Sequence, residues 1–176
     1  MKDWDRDYMR FAKCEENLLK QGFRIWKNHG LRYMFLFRKR ESAKGKLMHT
    51  IYSLMLLRLQ HRYGIEINTQ NVAGGVLLIH PYNITINGKA IIGEDFTVFK
   101  GATVGSIRSG KRAGSPTIGN RVTICPNAMV CGGISIGDDV MISANAFVDF
   151  DVPANSIVLG NPAFIKHKEN ASKDYL

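Results

Sequence analysis

The stretch Ile118–Val148, IGNRVTICPNAMVCGGISIGDDVMISANAFV, decides the fold. Ile118, Ile124, Val130, Ile136, Ile142 and Val148 stand six residues apart, and the same spacing runs upstream through Ile92, Val98 and Val104. A strand alternates with period two and a helix with period 3.6, so neither yields a strict six. Six residues suffice for one short extended face and a corner. Three such faces close a triangular coil, so the period predicts a three-sided parallel β-helix. Each repeating aliphatic then points inward and stacks on its equivalent one coil away. Gly93, Gly105, Gly119 and Gly137 directly follow a repeating aliphatic. They are read as corners, which glycine turns without steric penalty. A β-sandwich spaces its turns irregularly, at about 8–12 residues, and does not produce nine aliphatics in phase.

The period breaks twice. Val72 and Leu78 are six apart, but Ile86 follows after eight, with the extra residues around His80-Pro81-Tyr82-Asn83. Between Val104 and Ile118 the chain reads Gly105-Ser-Ile-Arg-Ser-Gly-Lys-Arg-Ala-Gly-Ser-Pro116. Glycine, serine and cations predict an exposed loop leaving the prism. Insertions in solenoids map to loops that carry sites, so His80 is a candidate base. Glu66 lies 14 residues upstream, close to the three hexads of one coil, and can return to the same face. A carboxylate on one ring nitrogen fixes the tautomer and raises basicity at the other. That is the base–orienter pair of nucleophilic and acid–base sites. The plainer alternative is a surface histidine and a solvated carboxylate. His29, His49, His61 and His167 have no comparable context.

Residues 1–63 lack the six-residue period and proline, and read as helices. Met9, Phe11, Leu18, Leu19, Phe23, Ile25 and Trp26 suit an amphipathic helix ending near Gly30. Further helices are expected over Leu31–Arg40 and Met48–Arg62. The expected organisation is a helical segment over 1–63, a β-helix over 64–163 and a tail over 164–176. Charge divides unevenly. Residues 1–63 carry 15 Lys/Arg against 6 Asp/Glu, and the remainder carries 9 of each. No groove-reading or aromatic-interleaved motif accompanies the basic segment, so nucleic acid is not an expected partner. A solvated helical surface is the plain reading, with peripheral contact to an acidic membrane surface or an anionic substrate as the alternative. Asp3, Asp5 and Asp7 precede any apolar run, which does not suit a signal peptide, and no stretch suits a bilayer span. The expectation is a cytoplasmic protein. Cys14, Cys125 and Cys131 form no disulfide framework, and no cluster has metal-ligand spacing, so free thiols and no metal are expected.

Several segments carry a family resemblance: Tyr63-Gly-Ile-Glu-Ile-Asn68, Gly75-Val-Leu-Leu-Ile-His80, Gly93-Glu-Asp-Phe-Thr-Val98, Ala102-Thr-Val-Gly105 and Val158-Leu-Gly-Asn-Pro-Ala163. Over about residues 63–166 the chain resembles the hexapeptide-repeat acyltransferases, in their serine acetyltransferase-like branch. The resemblance implies a left-handed β-helix, a homotrimer, and acetyl-CoA as donor. It implies that His80 is the general base, with Glu66 at the carboxylate position one residue out of step. Gly105 falls at the glycine beside the thioester. Backbone near Ala128, Ser143 and Ala146 would bond the pantetheine amides, and Lys166 and Lys168 would meet the CoA phosphates.

The departures are informative. Enzymes of this branch acting on L-serine have Asp before the catalytic His and an Arg-His pair before the loop Pro. Here Ile79 and Gly114-Ser115 stand at those places. Neither supplies the paired charges that a charged ligand needs. The short helical segment and Tyr63-Gly-Ile-Glu-Ile67 look more like the capsule and colanic-acid-type O-acetyltransferases. The expected activity is therefore acetyl-CoA-dependent O-acetylation of a hydroxyl on a sugar acceptor in surface polysaccharide biosynthesis. Serine O-acetylation is the alternative, and a non-catalytic assembly module the alternative of another class.

Overall fold

The computed structural model describes residues 3–12 and 18–175. Cys14 lies outside the described residues. Four helices come first: α1 (Asp3–Ala12), α2 (Leu18–Lys27), α3 (His29–Glu41) and α4 (Lys46–Tyr63). Fourteen short strands follow, β1 (Ile65–Ile67) to β14 (Phe164–His167), and a 3-10 turn at Lys173–Tyr175. The strands wind as the parallel β-helix expected from the hexad. Face A stacks β1, β3 (Ile84–Ile86), β6 (Thr103–Gly105), β9 (Met129–Cys131) and β12 (Phe147–Val148). Face B stacks β4 (Ile91–Ile92), β7 (Thr117–Ile118) and β10 (Ser135–Ile136). Face C stacks β2 (Leu77–Ile79), β5 (Thr97–Phe99), β8 (Thr123–Ile124), β11 (Val140–Ile142) and β13 (Ser156–Leu159), with β14 antiparallel at its edge.

The repeating aliphatics are the inner columns. Ile67, Ile86, Val104, Val130 and Val148 stack on face A. Val72, Ile92, Ile118, Ile136 and Val152 stack on face B. Leu78, Val98, Ile124, Ile142 and Val158 stack on face C. All fifteen are buried, and each full burial of such a side chain is worth about 1.5–3 kcal/mol.

The glycines do a different job from the one expected. Gly93, Gly119 and Gly137 are not among the positive-φ residues. A Cβ on Gly93 would lie 2.6 Å from the Gly119 carbonyl carbon, and one on Gly137 would lie 2.4 Å from the Ala154 nitrogen. These glycines let consecutive coils approach. The left-handed turns fall two residues later, at Asp95, Arg121 and Asp139. Side-chain bonds brace them: Asn120 Oδ1 accepts from Glu94 N at 2.8 Å, and Asp138 Oδ1 accepts from Asn120 N at 2.7 Å.

The helical segment also departs from its expected form. Gly30 lies inside α3 instead of ending a helix. Asn28 starts α3, accepting from Leu31 N at 2.8 Å, as an N-cap asparagine does. Tyr33, Met34, Leu36 and Phe37 of α3 and Leu56 and Leu59 of α4 join the β-helix core. The first coil has no coil above it, so its backbone groups need partners. Arg38 donates to Val72 O and Ala73 O, both at 2.7 Å. Asp7 accepts from Gly75 N and Val76 N, both at 2.7 Å, and from Arg38 Nε at 2.8 Å. At the other end Asp139 accepts from Ala171 N and Ser172 N at 3.1 Å and from Ser172 Oγ at 2.7 Å.

Candidate active site

His80 sits on the corner between faces C and A, exposed, with φ 47°. Bonds fix the corner on both sides. Tyr82 N donates to His80 O at 2.8 Å, Asn83 N to Tyr63 O at 3.0 Å, and Gly101 N to Tyr82 O at 2.9 Å. The helices wedge it from outside. His29, at the start of α3, stacks on Tyr63 with ring centroids 4.4 Å apart and lies 4.9 Å from Tyr82. Gly30 faces Pro81 so closely that a Cβ would come within 2.8 Å of Pro81 Cγ. The two extra residues of the first break thus hold a histidine outward on a braced, left-handed turn.

Glu66 lies elsewhere. It stands mid-strand in β1, paired with Thr85 on face A, and among the described residues it makes no hydrogen bond to His80. The expected base–orienter contact is therefore not made within one chain. Strand register explains this: Glu66 belongs to the outward column continued by Thr85, Thr103, Met129 and Phe147, whereas His80 belongs to the corner.

The residues expected to hold the donor divide between two edges. Ala128, Ser143 and Ala146 line the C–A edge below the His80 corner. Their backbone groups already serve the coil. Ala128 N donates to Cys125 O, and Ala128 O accepts from Thr103 N. Ser143 N donates to Val158 O, and Ala146 N to Ser143 O. Only second carbonyl lone pairs remain there for a pantetheine amide. Lys166 is exposed on β14 and Lys168 just beyond it, at the far end of face C. Gly105 lies on the other edge, between faces A and B. A Cβ there would meet Cys131 Sγ at 2.9 Å. Burial raises the Cys131 pKa, with the Gly105 backbone opposing, and burial likewise raises that of Cys125. Both sulphurs are thus disfavoured as thiolates.

The loop expected to leave the prism folds back along the A–B edge. Ile107 and Gly114 pair antiparallel, with bonds of 3.0 and 2.9 Å. Arg112 O accepts from Gly133 N at 2.8 Å, and Arg112 reaches Asp151 at 3.3 Å. Gly132-Gly133 makes room, since a Cβ on Gly133 would lie 2.7 Å from Ala113 O. That Gly-Gly pair was the sequence signal for the loop's resting place. A cleft opens where the loop leaves the coil, lined by Asn87, Lys89, Ser106, Arg108 and Ser115 among others. The second period break marked its loop wall, and no sequence pattern marked Asn87 and Lys89 opposite. His80 and this cleft flank face A on opposite edges. Among the described residues no group of three or more His, Cys, Asp or Glu could hold a metal ion. No described helix is long and apolar enough to cross a membrane.

The fold is a parallel β-helix, and the bacterial transferase hexapeptide (six repeats) family model matches residues 115–149. The chain's likeness runs to serine acetyltransferases. The serine acetyltransferase of Helicobacter pylori is 39% identical over 101 residues, which is 57% of this chain and 59% of that protein. That of Mycobacterium tuberculosis is 39% identical over 102 residues, 56% of this chain and 44% of that protein. The chain thus spans about three-fifths or less of these relatives' lengths. The structure of Entamoeba histolytica serine acetyltransferase 1 in complex with L-cysteine superposes with TM-score 0.70 at 23% identity, over 90% of this chain and 62% of that one. That of the Neisseria gonorrhoeae enzyme in complex with serine superposes with TM-score 0.65 at 24% identity, over 93% and 67%. These likenesses overturn the sugar-directed, capsule-type reading. It rested on Ile79, Gly114-Ser115 and a short helical segment, which are local departures. The extended similarity goes to proteins named for serine.

Proposed function

We propose that this protein is an acetyl-CoA-dependent serine O-acetyltransferase working as a homotrimer in the cytoplasm. The observation that carries the reading is His80, held outward on a braced corner of a β-helix whose sequence relatives are serine acetyltransferases. His80 removes the proton from the serine hydroxyl as that oxygen attacks the thioester carbon. The tetrahedral oxyanion needs N–H donors, and the backbone around Gly105 is the candidate. The carbon–sulphur bond then breaks, and the histidinium returns the proton to the CoA thiolate. Products are O-acetylserine and CoA, with no acyl-enzyme on Cys125 or Cys131. Two half-sites on opposite edges of face A support the trimer: the C–A edge of one chain, with His80, Ala128, Ser143 and Ala146, would face a neighbour's A–B edge, with Gly105 and the loop.

A thiol-release assay with L-serine tests this. His80→Ala should lower kcat about 10²–10⁴-fold while the trimer mass and the acetyl-CoA affinity hold. Undiminished turnover in the variant would remove His80 from the mechanism, and no serine turnover in the parent would remove the reading.

A further inference from the structure

The proposed acceptor is a zwitterion, and the positions expected to recognise it, Ile79 and Gly114-Ser115, carry no charge. We infer that the cleft at the base of the 106–115 loop is the anion subsite for the acceptor carboxylate, with Arg108 and Lys89 as its cations; this rests on the serine reading.

Asn87, Lys89, Ser106, Arg108 and Ser115 line the cleft, and its full lining holds two cations and no acid. Among the described residues neither Lys89 nor Arg108 forms a salt bridge. Arg112, by contrast, is held by Asp151. The walls are tied together by one side chain. Asn87 Oδ1 accepts from Ser115 Oγ at 2.9 Å and from Lys89 N at 2.9 Å, and Asn87 Nδ2 donates to Ser106 Oγ at 3.3 Å. Ser106 accepts in that bond, so its own hydroxyl proton is left to donate into the cleft. A guanidinium fork, an ammonium and a hydroxyl donor around one space are the groups that bind a carboxylate.

The absence of acid from the lining sets the orientation. A zwitterion enters carboxylate first, and its ammonium is repelled toward the mouth. Ser106 directly follows Gly105, so the bound acceptor lies beside the proposed thioester position. His80 of the same chain is across face A, so the hydroxyl meets the base of a neighbouring chain.

The test compares L-serine with L-serinamide, which lacks the carboxylate, in the intact protein and in Lys89→Gln, Arg108→Gln and the double variant. The parent should prefer L-serine. The double variant should raise KM for L-serine by about 10–100-fold, the loss of charge-assisted bonds, and leave KM for acetyl-CoA and for serinamide unchanged. An unchanged serine KM overturns the subsite and leaves the activity standing. A raised KM for acetyl-CoA instead assigns the cleft to a donor phosphate and also overturns it. If the parent does not acetylate serine, the functional reading fails separately. Calorimetric binding of L-serine that the double variant loses would then still support the subsite, and absent or unchanged binding would overturn it.

Discussion

His29 is one of the residues through which the helices touch the His80 corner. Burial holds its pKa below the ordinary histidine value, Arg32 adds to the effect, and a bond to Pro81 backbone opposes it. The folded chain thus disfavours the charged ring. The stability tied to this group is fully present above the unfolded value of about 6.5 and is lost as pH falls through the lower folded value. His29→Phe keeps an aromatic ring on Tyr63 without the titration. Its melting temperature should therefore fall less than the parent's between pH 7 and 5; parallel curves would disprove the linkage. Glycine gives a second residue-scale expectation. A Cβ on Gly119 would lie 2.4 Å from Asp138 Oδ1 and 2.9 Å from the Gly137 carbonyl carbon. Gly119→Ala should destabilise by about 1–3 kcal/mol, the scale of overpacking, measured by denaturant midpoint. The position of such glycines is legible in sequence as a six-residue echo, but their purpose is not. Turning a corner and clearing a neighbouring coil select the same residue, and only the coil spacing separates the two.

Elements were legible in proportion to how local their cause is. The inner columns follow from hexad spacing alone, because each aliphatic needs only its equivalent one coil away. The start of α3 at Asn28 escaped, because apolar spacing up to Trp26 reads as a run that ends near Gly30. The pairing of Asp7 with Arg38 escaped for another reason: it joins residues 31 apart to seal a third element. That pair makes a sharp prediction. Asp7 and Arg38 are 1% and 9% exposed, so Asp7→Ala leaves a buried cation with only the exposed Asp3 carboxylate, 3.7 Å away, and should cost about 3–5 kcal/mol. Replacing both, as Asp7→Leu with Arg38→Met, should recover part of that loss. A double variant no more stable than Asp7→Ala would show that the bonds to Val72, Ala73, Gly75 and Val76 backbone matter more than the uncompensated charge. At the candidate site, the outward place of His80 was legible, since a broken period is visible. The expected Glu66 contact is not made within one chain, since register places Glu66 on a flat face.

At the scale of the molecule, the two half-sites predict obligate sharing. Light scattering should report about three times the chain mass of 19.7 kDa. Refolding His80→Ala together with a chain lacking residues 107–114 should restore activity that neither has alone, because some assembled edges would pair an intact His80 with an intact loop. A monodisperse, active monomer would refute the arrangement. The two ends of the coil bear on a different matter. A stack of parallel strands can in principle keep growing, since each terminal strand offers unpaired amides to another chain. Here Arg38 and Asp7 occupy the backbone of the first coil, and β14 runs back antiparallel along β13, from Phe164 beside Leu159 to His167 beside Ser156. The direction reversal matters, because a strand entering the wrong way cannot hand the parallel register on to a successor. The chain therefore carries its own chain terminators, in the polymer chemist's sense, and their removal should turn a discrete particle into one that adds length end to end.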